Sequence, residues 1–343
     1  MKAVQLKGFE GPSSLEVVDV ERPAPGPGEI LIEVEAAGLN WAELEQTRGL
    51  YPLGKPLPAV MGFEAAGTVA ALGPGVDRPR PGDRVVALAR SGGFAEYATA
   101  DAGGAIPIPE GISFAEATTL PIQGLSAYAL LKLAARPRPG ETVLIQAAAG
   151  GVGLYLVQLS KLLGFERVVA LASSEEKLEL VRSLGADVAV NYAEPGWPER
   201  VREATGGRGV DVLLEMASRE IAEASFPLVA PFGRIVVFGA RNLHDVLGPE
   251  RMAGLLRGNH TIVFFNVPTL RPDQLAPCVP EFLELVSRGK VRIFAGNRFP
   301  LAQARRAFEA LASRKTVGKV VLVRGQVFTE GRSGNPDRPS VKT

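Results

Sequence analysis

The residues of this chain best suited to chemistry lie in one stretch, Glu141 to Lys177, ETVLIQAAAGGVGLYLVQLSKLLGFERVVALASSEEK. Thr142–Gln146 is a short apolar run, long enough for a buried strand and too short for a buried helix. Ala147–Gly153 then supplies small residues where a backbone must approach a pyrophosphate and open a helix whose N-terminus favours anions. Ala148, Gly150, Gly151 and Val152 are the turn residues expected to line that approach. Val152, Tyr155, Leu156, Leu159 and Leu163 recur at helical spacing, Gly164 stops the helix, and Val168–Ala172 is a second strand. A βαβ unit of this kind has the chemistry of dinucleotide binding.

The turn departs from the usual G-x-G-x-x-G pattern, because Ala148 takes the place of its first glycine while Gly150 and Gly153 remain. A second departure sits about 20 residues further on, where an acid would accept hydrogen bonds from the ribose diol of NAD. That place falls on Ala172, followed by Ser173, Ser174 and Lys177. An acid there would repel a 2′-phosphate, whereas two hydroxyls and an ammonium would bind one. Glu175 is the competing acid, read more simply as a first-turn helix charge, and Ser173 has an alternative use as an N-cap. Tyr192, after the next strand, is placed either to cover the same phosphate or to be an ordinary half-buried tyrosine. The spacing favours NADPH over NADH.

The rest of the chain must position this unit. Its 343 residues allow two domains or one large one, and a formal charge of +1 gives no general attraction to nucleic acid or anionic membrane. A single cysteine excludes an intramolecular disulfide and any Cys-rich metal knuckle. No secretory leader is visible and no apolar run nears the roughly 20 residues that span a bilayer, so a cytoplasmic location is expected. Residues 1 to about 120 read as short strands punctuated by Pro and Gly, with Asn40–Gly49 as an irregular or helical insertion. From Glu141, six strands alternate with helices: Thr142–Gln146, Val168–Ala172, Val188–Asn191, Val210–Glu215, Arg234–Gly239 and Ile262–Val267. That alternation predicts a doubly wound parallel sheet. Two helices, Asp273–Ser287 and Leu301–Ala312, precede a last strand at Val317–Val323, and the polar stretch after about 325 reads as a tail.

Six strings carry a resemblance: AAGLNWAELEQTRGLY (36–51), GFEAAGTV (62–69), PGDRV (81–85), PIQGLSAY (121–128), AAAGGVG (147–153) and GVDVLLE (209–215). With them the chain resembles the zinc-independent quinone oxidoreductases of the medium-chain dehydrogenase/reductase superfamily, from Met1 to about Val323. The resemblance implies an α/β fold, a Rossmann doubly wound parallel sheet plus a GroES-like β-rich catalytic domain, with the active site in the cleft between them. The expected division is residues 1–122 in the catalytic domain, 123–268 in the NADPH-binding domain, 269–324 back in the catalytic domain, and 325–343 as the tail. It also implies a homodimer formed through edge strands of the Rossmann sheet, with Ile262–Val267 as the apolar candidate edge.

Zinc-dependent relatives place a Cys-His-Cys set at positions that fall on Asn40, Phe63 and Gln123, none of which replaces a thiolate or imidazole, so no metal is expected. Without that Lewis acid, hydride transfer to an already electrophilic quinone or enone is the sensible chemistry. The resemblance places Asn40 and Tyr51 near nicotinamide and substrate, with Arg48 as an electrostatic candidate. Glu43 stands where many relatives have Asp. Further cofactor contacts implied are Ser126, Phe238-Gly239-Ala240, Phe264-Phe265-Asn266, and Lys319, read as reaching the pyrophosphate or else as solvated. Quinone reduction, enal or enone reduction, and a non-catalytic dinucleotide-binding role all remain compatible with these residues.

Overall fold

The computed structural model describes residues 1–216, 219–239 and 249–325, and it divides into two units. The first is Met1–Ile122 with the chain from Ile293 onward, and the second is Gln123–Arg292. Ala240 and the stretch after 325 lie outside the described residues. Among the described residues, no helix is long and apolar enough to cross a membrane.

In the first unit, β1 (Lys2–Leu6), β2 (Leu15–Asp19), β3 (Glu29–Leu39), α1 (Trp41–Gln46), β4 (Ala59–Val60), β5 (Glu64–Leu72), β6 (Arg84–Leu88), β7 (Tyr97–Asp101), β8 (Ile106–Pro107) and α2 (Phe114–Ala117) come first. The strands form a three-stranded sheet, β2-β1-β4, and a larger sheet in which β3 and β5 are central. Ile30, Ile32, Leu39, Leu44, Val85 and Phe94 fill the core between them. The short strands β4 and β8 carry no alternation to reveal them, since each is held by one neighbour over two residues.

The second unit opens with a helix that the sequence reads as regular over Gln123–Ala135. It starts earlier and is irregular: a π-helical turn at Leu120–Gly124 (which straddles the boundary), then α3 (Leu125–Ala129), then a second π-helical turn at Leu130–Ala135. There follow β9 (Thr142–Ile145), α4 (Gly151–Leu162), β10 (Arg167–Ala172), α5 (Glu175–Ser183), β11 (Val188–Asn191), α6 (Trp197–Ala204) and β12 (Val210–Glu215). The unit continues with α7 (Arg219–Ser225), β13 (Val229–Phe238), α8 (Pro249–Arg257), β14 (Thr261–Phe265), α9 (Pro272–Leu275) and α10 (Cys278–Ser287). The six strands are all parallel, in the order β11-β10-β9-β12-β13-β14. The order reverses at β9, which puts a ligand crevice at the carboxyl ends of β9 and β12.

Two expectations need correction. The return to the first unit comes at Ile293 rather than 269, because α10 packs into the second unit. Phe282 stacks edge-on against Tyr155 of α4 at 5.8 Å and lies 6.1 Å from Tyr128, while Glu281 accepts hydrogen bonds from Tyr128 and Lys132. The single helix expected over Asp273–Ser287 is split into α9 and α10, with Pro277 at the N-cap of the second. The chain then closes the larger sheet of the first unit with β15 (Asn297–Pro300), α11 (Ala304–Ala312) and β16 (Val320–Val323).

Candidate active site and dinucleotide cradle

In the first unit, sheet register assembles the site. β16 pairs antiparallel with β3, setting Val320 opposite Leu39, and β5 pairs with β3 on its other side, setting Glu64 opposite Gly38. Lys319, Asn40 and Glu64 therefore converge from three distant parts of the chain. The Lys319 ammonium forms an ion pair with Glu64 Oε1 and donates to Asn40 Oδ1 at 2.6 Å. Asn40 Nδ2 donates to the same Glu64 oxygen at 2.9 Å. Lys319 and Glu64 are both fully buried, and Gly38 makes room for them: a Cβ there would strike Glu64 Oε1 and Lys319 Cε. Lys319 is thus neither solvated nor extended toward a pyrophosphate, because its ammonium is committed inside the sheet.

Glu43 completes the cluster. It is fully buried on α1, and its carboxyl accepts from the backbone N–H groups of Asn40 and Phe63, each at 2.6 Å. Burial pushes its pKa up to about 8 against the pull of Lys319 and those two amides, and the Glu64 charge adds to the rise. Burial likewise raises Glu64, with Lys319 and Asn40 opposing. Sequence spacing alone does not single out Glu64. The available signal was a lone charge opening the otherwise apolar strand EAAGTV, matched by a lone lysine before VVLV.

Tyr51 packs edge-on against Phe63 at 6.1 Å, next to the amide that binds Glu43. Arg48 does not join this cluster. It is exposed and pairs with Glu45 at 3.1 Å.

In the second unit the cofactor candidates gather at the carboxyl ends of the parallel strands. Ala148 is buried behind β9, and Gly150 is the N-cap of α4, so the amides of Gly151 and Val152 form the first turn of that helix. Gly153 is required by packing: a Cβ there would meet the Ala147 carbonyl oxygen and sit 2.7 Å from Ala148 Cα. Its role is the close helix–strand approach. Ala172 ends β10, and Ser174, not Ser173, is the N-cap of α5, with no side-chain hydrogen bond to the helix. Lys177 Nζ lies 3.4 Å from Ser173 Oγ, and burial lowers its pKa while Glu176 pulls it back up. Glu175 points to Arg182 at 2.6 Å as a surface charge. Tyr192 follows β11, where its amide donates to Ala172 O at 3.0 Å, and its half-buried ring packs on the core beneath. Ser173, Lys177 and Tyr192 thus share one end of β10 and β11.

Phe238 and Phe265 are register partners at the ends of β13 and β14 and are buried, whereas Phe264 and Asn266 are exposed. Gly239 follows with φ +89. Ser126 is half-buried on α3. These residues fit a phosphorylated dinucleotide: amides at a helix N-terminus for the pyrophosphate, a cation and hydroxyls where NAD needs an acid, and a turn that a Cβ would fill. Among the described residues, no group of three or more His, Cys, Asp or Glu is placed to hold a metal ion.

Comparison with known proteins gives the same picture at family level. Residues 151–287 match the family model described as zinc-binding dehydrogenase, and residues 26–110 match the alcohol dehydrogenase GroES-like domain. A quinone oxidoreductase of Pseudomonas aeruginosa is 35% identical over 329 residues, covering 94% of this chain and 99% of the relative. The structure of the Escherichia coli quinone oxidoreductase complexed with NADPH is 30% identical, with a TM-score of 0.86 over 94% of this chain and 100% of that one. A mycobacterial protein, also complexed with NADPH, is 35% identical with a TM-score of 0.85, over 94% and 100%. With this identity running through both units, the chain belongs to the quinone oxidoreductases of the medium-chain dehydrogenase/reductase superfamily and is an enzyme of the oxidoreductase class.

Proposed function

We propose that this protein reduces quinones with NADPH by direct hydride transfer, without a metal. The observation that carries the cofactor choice is the group at the ends of β10 and β11. There Ser173, Ser174 and Lys177 stand where a carboxylate would otherwise select NADH. Bound NADPH supplies the hydride. Lys177 and the serine hydroxyls hold the 2′-phosphate, Tyr192 covers it, and the first-turn amides of α4 hold the pyrophosphate. Asn40 has one Nδ2 hydrogen on Glu64 and keeps the other for an oxygen of the substrate, where charge develops as hydride arrives. Tyr51, beside Phe63, supplies an aromatic face for a planar acceptor. The residues at Asn40, Phe63 and Gln123 offer zinc no thiolate or imidazole.

Fluorescence titration with NADPH and NADH tests the cofactor, and absorbance of the reduced nicotinamide tests turnover with a quinone and, separately, an enal. NADPH should bind more tightly than NADH. Lys177→Ala should weaken NADPH about ten- to hundredfold, the worth of a charge-assisted contact, and leave NADH unchanged. Equal affinity for the two cofactors would sink the reading of this turn. Faster turnover of the enal would move the substrate class to enones, and no turnover of either would favour a binding role.

The assembly proposed is a homodimer through β14, in the cytoplasm. β14 is an edge strand that pairs only with β13 among the described residues, and Phe264 on it is 46% exposed. Leu256 and Met252, on the helix leading into it, are exposed too. An open apolar edge of this kind is a template for a second copy. Sedimentation should give a dimer, and Phe264→Lys should shift it toward monomer. A wild-type monomer would remove the assignment.

A further inference from the structure

Gln123 lies in the first π-helical turn, Leu120–Gly124, is 8% exposed, and has a buried Oε1 that accepts no hydrogen bond. Its amide rests on the first turn of α4: a Cβ added at Gly151 would strike Gln123 Nε2, Cδ and Oε1. A buried acceptor without a donor is unfavourable, so a well-packed one beside a ligand cradle signals that the ligand brings the donor. Single π-turns inside helices recur at functional sites because they turn one side chain off the regular helical path.

The chemistry of that ligand group follows from position. A pyrophosphate at the α4 N-terminus offers acceptors only, so the donor must come from a sugar or base next to it. The irregular helix over residues 120–135 packs through α3 on α4 and through its second π-turn on β13 and β14, across the sheet from β10 and β11, where Lys177 and Tyr192 mark the proposed adenosine side. Its carboxyl end is pinned at the start of the sheet, where Arg234 Nε donates to Ala135 O at 3.0 Å. Its amino end, with Gln123, therefore reaches the carboxyl ends of the strands on the opposite flank from the adenosine site.

We propose that Gln123 is a cofactor-binding residue whose Oε1 accepts a hydrogen bond from a ribose hydroxyl on the nicotinamide half of NADPH. This rests on the NADPH reading above. Affinities of the wild-type protein, Gln123→Leu and Gln123→Met are measured for NADPH and for 2′,5′-ADP, which lacks the nicotinamide half, together with thermal melting of the cofactor-free proteins. Both variants should bind NADPH about five- to tenfold more weakly, bind 2′,5′-ADP as the wild type does, and melt no lower without cofactor. Unchanged NADPH affinity overturns the proposal, as does an equal loss for both ligands, which would put the contact on the adenosine side or in the fold itself. If the wild type binds neither ligand, the NADPH reading fails, and that result is distinct from the failure of Gln123 alone.

Discussion

Lys319→Met is expected to cost about 3–5 kcal/mol of stability near pH 8 and much less near pH 5, as the loss of one partner of a buried ion pair does. The change keeps most of the side-chain volume but leaves Glu64 and Glu43 fully buried with no cation. The pH arm follows from the carboxyls. Glu43 is raised to about 8 in the folded chain, above its ordinary value of 4.5, so the folded state binds more protons than the unfolded one between those values. Stability from this group is full below the ordinary carboxylate range and declines as pH rises toward about 8, by up to about 1.4 kcal/mol per pH unit per proton. Removing Lys319 strengthens that decline, because the ammonium opposes it at both carboxyls and leaves only hydrogen-bond donors to do so once it is gone. Chemical denaturation at the two pH values measures the effect. Pairing the change with Glu64→Gln should restore part of the loss, since a neutral amide replaces the uncompensated charge. An equal loss at both pH values would show that packing, not charge, holds this sheet together.

Gly153→Ala should lower NADPH affinity about 10- to 100-fold, the equivalent of an overpacking penalty of about 1–3 kcal/mol carried by the turn. The atoms a Cβ would meet are the backbone of Ala147 and Ala148, which cannot rotate aside as a side chain can. Either α4 moves off β9 or the turn shifts, and both displace the amides of Gly151 and Val152, which are proposed to hold the pyrophosphate. Gly254→Ala in α8 is the control: a Cβ there meets nothing within 4 Å, and alanine is the better helix former. Isothermal titration with NADPH compares the two. Wild-type affinity in Gly153→Ala would mean that the cradle is looser than its geometry implies.

Much of the second unit is legible in the sequence because it is built from local patterns. The strands Val188–Asn191 and Val210–Glu215 stand where their apolar runs end, and α4 starts where the glycines allow it. Such elements depend on period and turn chemistry, which neighbours in sequence supply. The turn proposed for the cofactor phosphate is local for the same reason: Ala172, Ser173, Ser174 and Lys177 lie within six consecutive residues. The division of the chain is less so. Asp273–Ser287 reads as an amphipathic helix in the segment expected to return to the catalytic domain, and the contacts of Phe282 with Tyr128 and Tyr155, with the hydrogen bonds of Glu281 to Tyr128 and Lys132, put it in the second unit instead.

What the sequence determined by itself, then, is the family and the Rossmann alternation, and it supplied the residues proposed for the adenosine end. Tertiary structure alone decided the fate of the charged residues. Lys319, legible only as solvated or phosphate-bound, is buried because antiparallel pairing of β16 with β3 and of β3 with β5 sets it against Asn40 and Glu64, 279 and 255 residues away. Gln123, legible only as a missing zinc ligand, becomes an orphaned acceptor because a π-turn lays it on Gly151. Whether a polar group faces water, another charge or a ligand depends on what distant segments place beside it, and sequence spacing carries no record of that distance.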